Sequence, residues 1–357
     1  MSTSEQAQIA TDWFYGWEWR GRGWYHWGEM VEPEPPFLPF IPVPQPQQEY
    51  IDDGRVPGIF DLFKKPFQKP SPPVFDEHLE QYLHEYEHPQ PVYFSYPEEF
   101  EALQMSFPEG FVLGAEHMEQ LLTILSQTKH PLSFELVADD EKIIVQLVCR
   151  VSDISRVQSQ IHAVFPQIGF MYEPMAIIDW NINNLSIYEL GLANEFMLPI
   201  ATTNRFDPDP MASLYGVLDN LKANEHAMVQ ILFKGTMNNW AKNMFASVTT
   251  SEGQPFFSNF PEILPLTQEK IAKPLYGVVV RIVGNGSSKH ISERICNDLF
   301  HSFIVYDRQG SNRFVKLSNE GFDTGDHFDE LVLRQSQRSG MILNTEELSA
   351  LMHFPSQ

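Results

Sequence analysis

The chain has 357 residues, long enough for two domains of ordinary size, and carries a formal net charge of −23 from 47 Asp and Glu against 24 Lys and Arg. Affinity for nucleic acid comes mainly from cations that neutralise phosphates, so this balance excludes a nonspecific grip on DNA or RNA. Two cysteines exclude a disulfide framework, no N-terminal stretch of this sequence has the charged-then-apolar form of a signal peptide, and no apolar run approaches the roughly 18 residues of a membrane helix.

Residues 1–95 differ in kind from the rest and read as a Trp/Pro-rich arm and linker, partly disordered. Five of the seven tryptophans fall here, Trp13, Trp17, Trp19, Trp24 and Trp27, interleaved with Arg20 and Arg22. Two readings stand: a docking arm that orders on a partner, since Trp and Arg dominate interface energetics, or a segment that folds back over an apolar sheet face. Stacking on bases is disfavoured by Asp12, Glu18 and Glu29 nearby. Prolines from Pro33 to Pro46 and from Pro57 to Pro73 favour extended chain. A short helix is expected over Phe75–Glu87. It ends in His84-Glu85-Tyr86-Glu87-His88, which satisfies H-E-x-x-H, the pattern that places two zinc-binding imidazoles and a general base on one helix face. That chemistry needs a buried, rigid helix and a third ligand. This helix is short and acidic and runs into Pro89, so a solvated helix end is expected.

Residues 96–176 read as a first α+β unit. A strand over Ala102–Phe107 is followed by a helix over Ala115–Gln127, with Met118, Leu121, Leu122 and Leu125 on one face. Leu132–Val137 and Ile143–Val151 form a hairpin around Asp139-Asp140-Glu141. A second helix, capped by Asp153, runs to Phe165 and stops at Pro166, and Ile168–Tyr172 closes the unit. The order β-α-β-β-α-β is the ferredoxin-like signature.

Residues 177–320 repeat the pattern with an insertion at 236–273. Ile177–Leu190 bridges the copies as an extra strand. The expected elements are a strand at Phe196–Ala201, a helix at Met211–Leu221, strands at Ala227–Phe233 and Pro274–Val283, a helix at Ser287–Ile304 and a strand at Arg313–Leu317. Residues 321–357 read as an irregular segment followed by a C-terminal helix. The fold class is thus α+β, with two ferredoxin-like units in tandem behind an extended arm.

Residue types that carry chemistry are present without the partners chemistry needs. Cys149 and Cys296 lie inside apolar patterns and read as buried thiols. Gly284-Asn285-Gly286-Ser287-Ser288-Lys289 resembles a phosphate loop but lacks the G-K-[ST] ending, which leaves a tight turn with a serine cap. Asp323, Asp326, Asp329 and Glu330 have poor calcium-loop spacing. No Walker loop exists in the sequence, so triphosphate hydrolysis by this chain alone is not expected.

The segment Met341–Ser356 reads as a helix capped by Asn344 or Thr345, with Glu347 in capping-box position, Leu348, Leu351 and Met352 at helical spacing, and a stop at Pro355. It is similar to the junction "iLnTEELatLxHFPs" that ends the soluble N-terminal region of bacterial conjugation and type IV secretion ATPases of the FtsK/HerA-like superfamily. The resemblance covers roughly residues 95–356. It implies a non-catalytic accessory or adaptor subunit without cofactor, separated from its motor domain, which acts in DNA transfer by binding a separately encoded ATPase; a cytoplasmic location is expected from the composition, a departure from the many relatives that carry N-terminal membrane helices. Nucleic acid is then touched only indirectly, and oligomers form through the motor. Docking would use Leu348, Leu351, Met352 and Phe354, the tryptophan arm, or both. The alternatives are a metal-dependent hydrolase using His84, Glu85 and His88, or a truncated or split gene product.

Overall fold

The computed structural model describes residues 25–26, 29–30, 99–108, 115–171, 180, 182–202, 209–236, 240–249, 253–255, 260–319, 324–336 and 340–352. All of these belong to one compact unit. The arm supplies a short antiparallel hairpin, β1 (Tyr25–His26) with β2 (Glu29–Met30). The helix expected over Phe75–Glu87 lies outside the described residues.

Mixed helices and strands build on a single antiparallel sheet. In chain order its strands are β3 (Phe100–Ser106), β4 (Leu132–Ala138), β5 (Ile143–Arg150), β6 (Gly169–Met171), β7 (Ser186–Leu192), β8 (His226–Gly235), β9 (Leu275–Asn285), β10 (Phe314–Lys316) and β11 (Met341–Asn344). Across the sheet they run β10-β7-β9-β8-β4-β5-β3-β6. Within each half the order is fourth, first, third, second. The halves meet where β4 pairs with β8, from Leu132 opposite Phe233 to Ala138 opposite Ala227. β9 shares one edge between two partners: its residues 280–284 pair with β7 and its residues 275–278 with β11. Every residue of β9 is buried, which accounts for its nearly unbroken apolar run.

Five helices cover one face: α1 (Ala115–Leu125), α2 (Val151–Val164), α3 (Met211–Asp219), α6 (Lys289–Ser302) and α8 (Thr345–Leu351). They bury Met118, Leu122, Val157, Ile161, Leu218, Leu299 and Leu348 against Leu103, Phe134, Leu147, Ile231 and Val280. On the opposite face α7 (Thr324–Leu333) sets Leu331 against Val137, Ile187, Met228 and Val283. α4 (Trp240–Val248) and α5 (Ile263–Ile271) pack there against Leu275 and Ile342. No described helix is long and apolar enough to cross a membrane.

Local signals placed several elements. Asp139 closes the β4–β5 hairpin by accepting the amides of Glu141 and Lys142. Ser288 caps α6. Gly284 is needed for close approach, because an added Cβ would lie 2.4 Å from the Ser292 carbonyl oxygen.

Four expectations are corrected. Phe196–Ala201 is not a strand. Phe196, Met197 and Leu198 pack on Trp240 and Met244, and the amides of Ile200 and Ala201 bond to the Glu347 carboxylate and the Tyr306 carbonyl instead of a ladder. The strand of that half is β7, within the stretch expected to bridge the copies. The irregular stretch after Ser318 contains α7. The terminal segment opens with β11 before turning helical. Asp153 does not cap α2, which starts at Val151 with no side-chain cap; its carboxylate lies 2.8 Å from His130 Nδ1.

Candidate functional site

Six strands each carry one polar residue between apolar neighbours, and the register aligns them in a single row. Gln104 faces Gln146, Gln146 faces Glu135, Glu135 faces Gln230, Gln230 faces Arg281, and Arg281 faces Glu189. Because residues directly opposite project to the same side of a sheet, all six lie on the face that α7 covers. None is more than 5% exposed. The row falls as three residues in each half, at matching strand positions on either side of the β4–β8 seam.

Glu135 is the hub. Its carboxylate accepts from Ser133 Oγ at 2.7 Å, Gln146 Nε2 at 2.6 Å and Gln230 Nε2 at 3.0 Å. Arg334 closes on it from above with two parallel bonds, Nε at 2.9 Å and Nη2 at 3.0 Å. Burial alone would raise this carboxyl. The Arg334 guanidinium, with hydrogen bonds from Arg334, Ser133 and Gln230, instead holds it below its usual 4.5. Arg334 ends α7 with φ at 52°, the left-handed region that costs a residue with a side chain about 1 kcal/mol or more. The bidentate pair holds it there.

Arg281 does the same work in the second half. Its Nε donates to Glu189 at 2.8 Å and its Nη1 to Gln230 Oε1 at 3.0 Å. Nη1 also reaches the Glu330 carbonyl at 3.2 Å, and Nη2 donates to the Gln335 carbonyl. Glu330 lies in the last turn of α7, its carbonyl also accepting the Gln335 amide, and Gln335 lies just past the helix end, so the guanidinium fastens the end of α7 to the sheet. Ser336 adds a bond to Glu189 at 3.1 Å. With Glu330 3.5 Å from Arg281 and 3.7 Å from His327, three carboxylates meet two guanidiniums and one imidazole. A buried network of this kind specifies one arrangement of its parts.

A second buried node ties in the terminal segment. Lys270 and Glu347, both wholly buried, pair at 2.7 Å. Glu347 also accepts the amides of Ile200 at 2.9 Å and Asn344 at 2.8 Å. Asn344 caps α8 by accepting the Glu347 amide, completing the capping box. Burial lowers the Lys270 ammonium against the raising effect of Glu347.

The sequence candidates are distributed as follows. Leu348, Leu351 and Met352, expected to face a partner, are 0%, 2% and 2% exposed and lie in the main core. This corrects the docking expectation for them, because α8 is apolar where it meets α1 and the sheet. Phe354, the five arm tryptophans and His84, Glu85 and His88 lie outside the described residues. Cys149 and Cys296 are buried free thiols, each pushed up to about 12 by burial. Gly286, in the loop that resembles a phosphate cradle, donates its amide to Ser292 Oγ, and Lys289 reaches the Leu185 carbonyl, so the loop serves packing. Glu330 of the acidic run faces Arg281. A groove of about 380 Å³ lies between α3 and α6, lined by Gly216, Asn220, Arg294, Asp298 and His301 among others. Its one guanidinium is already paired with Glu225 and Asp298.

Sequence reasoning missed the polar row. Its signal was available: a single Gln, Glu or Arg between apolar neighbours in six strands, as in Phe134-Glu135-Leu136 and Val280-Arg281-Ile282.

Residues 101–254 match a family model, a domain of unknown function (DUF8128). The matched stretch runs from β3 through α4 and so takes in the whole first half, β7, β8 and the seam between the halves. It includes five of the six row residues and ends before the sixth, Arg281. No curated protein and no solved structure matches the chain.

Proposed function

We propose that this chain is a non-catalytic accessory subunit, built from two ferredoxin-like units in tandem, that acts in the cytoplasm by binding a separately encoded DNA-translocating ATPase. The reading rests on the resemblance to the N-terminal region of conjugation and type IV secretion motors. The observation that carries it is the setting of the segment with that resemblance. Residues 341–352 extend the sheet at β9 and wedge α8 against α1 in the helical layer. Tyr306 Oη bonds to the Ala350 carbonyl at 2.8 Å, and Glu347 anchors Ile200. A segment so deeply built in belongs to the folded unit as its closing piece.

The ferredoxin-like reading is supported by the strand order common to the two halves and by the row that recurs in each. The binding reading is supported by the use of Glu135, Arg281, Arg334, Lys270 and Glu347 to hold the fold together. Since α8 is enclosed, docking uses another surface.

The test is co-purification of the full-length chain from its native cells. A stoichiometric ATPase of that superfamily is expected, together with no ATP turnover by the purified chain alone. Turnover of ATP, or cleavage of a peptide, by the pure chain at a rate abolished by one substitution would overturn the proposal.

A further inference from the structure

The helical layer carries a groove of about 380 Å³ where α3 packs beside α6. Its α3 side is low: Ser213, Gly216 and Asn220 recur at i, i+3 and i+7 and are exposed. Gly216 sits inside the helix, where glycine is less stabilising than alanine. Among the described residues nothing lies within 4 Å of a Cβ added there, so the packing of this chain gains nothing from the glycine. An exposed helix glycine with open space above it suits close approach by a backbone from outside.

The α6 side supplies charge and apolar surface. Arg294, Asp298 and His301 follow at i, i+4 and i+7 along the groove. One turn beyond His301, in the 3-10 turn Phe303–Tyr306, Ile304 and Val305 are 52% and 36% exposed. Towards the other end Glu225 and Asp298 share the guanidinium of Arg294, at 2.7 and 3.0 Å, so carboxylates outnumber the cation. The stretch from Arg294 to Val305 is about 17 Å long, roughly three turns of a helix. A trough between two packed helices takes the side-chain ridge of a third. Charge decides whose helix that is. A second copy of this chain would bring another net −23 and be repelled, whereas a basic helix is drawn in.

We propose that the α3–α6 groove docks an amphipathic helix of another protein, which sets an apolar side chain on Ile304 and Val305, a lysine or arginine beside Asp298, and its backbone close over Gly216. The inference holds whichever protein supplies the helix and does not rest on the ATPase reading.

The test uses the full-length chain in its native cells, with a photo-crosslinking phenylalanine analogue in place of Asn220 and the adduct sequenced. The expected product is one other protein, crosslinked within a helical segment that carries Lys or Arg. Its yield should fall at least about tenfold in Gly216→Trp, which fills the groove, and in Asp298→Arg, which reverses its charge, while both purified variants keep the parent Tm. Should Gly216→Trp melt early, Asp298→Arg alone decides. The proposal is overturned by no adduct, by adducts within this chain or with a second copy, by adducts on an acidic or non-helical segment, or by a yield unchanged in either folded variant. An adduct on a basic helix of a protein that is not an ATPase supports the groove and counts against the partner named above.

Discussion

Replacing Arg334 with methionine isolates what holds α7 to the sheet. The substitution keeps a long side chain over Phe100, whose ring lies 5.7 Å from the guanidinium carbon, and leaves the strained backbone as it is. It removes both bonds to Glu135, which stays 0% exposed with three neutral donors and no cation on it. Breaking a buried pair by removing one partner costs about 3–5 kcal/mol. At roughly 2–4 °C per kcal/mol for a unit of this size, Tm should fall by about 6–20 °C. Glu135→Gln should cost a comparable amount, since it strands the guanidinium. The double variant should be less destabilised than the two losses added together, by at least about 2 kcal/mol, because residues in one network couple. Urea melts of the four proteins measure the cycle. A loss below about 1 kcal/mol for Arg334→Met, or additivity within about 0.5 kcal/mol, would refute the claim that this pair clamps α7.

Acid should act through the same carboxyl. Glu135 is held below 4.5 in the folded chain, so the unfolded chain binds its proton first; the stabilisation is complete above 4.5 and is lost as pH falls through the lower folded value. In Arg334→Met burial dominates, the carboxyl rises above 4.5, and its contribution changes sign: stability should increase on acidification towards 4.5, which melts between pH 7 and pH 4 would reveal. The glycines should divide by contact. A Cβ at Gly235 would lie 2.1 Å from the Ser126 carbonyl oxygen, whereas one at Gly216 meets nothing within 4 Å; Gly235→Ala should lower Tm, while Gly216→Ala, inside α3, should stabilise by about 0.5–1 kcal/mol. With Cys149 and Cys296 pushed up to about 12 by burial, a thiol reagent at pH 8 should label the native chain slowly and label two thiols promptly in denaturant.

The α+β class, the hairpin turn at Asp139, the serine cap of α6 and the capping box at Asn344 and Glu347 were legible in the sequence. Each rests on contacts a few residues apart, so periodicity and cap chemistry announce it. The errors share an opposite cause. Phe196–Ala201 has the composition of a strand, yet its backbone partners include a carboxylate 147 residues away. Leu348, Leu351 and Met352 form an amphipathic stripe, and periodicity shows that such a stripe will be buried without saying whether the chain itself or a partner buries it. α7 was read as loop because its glycine and acids weaken the local signal, while Arg281 and the sheet supply what holds it.

By itself, then, the sequence determined the α+β class, the hairpin turn at Asp139, the caps at Ser288 and Asn344, and that its balance of charge disfavours nucleic acid. Tertiary structure alone decided that the two halves join at β4 and β8, that six isolated polar residues become one row, and that the terminal segment lies inside the fold. The physical reason is distance along the chain. Arg334 and Glu135 are 199 residues apart, and no local pattern records that a cation and a carboxylate will meet once a sheet has brought its strands into register.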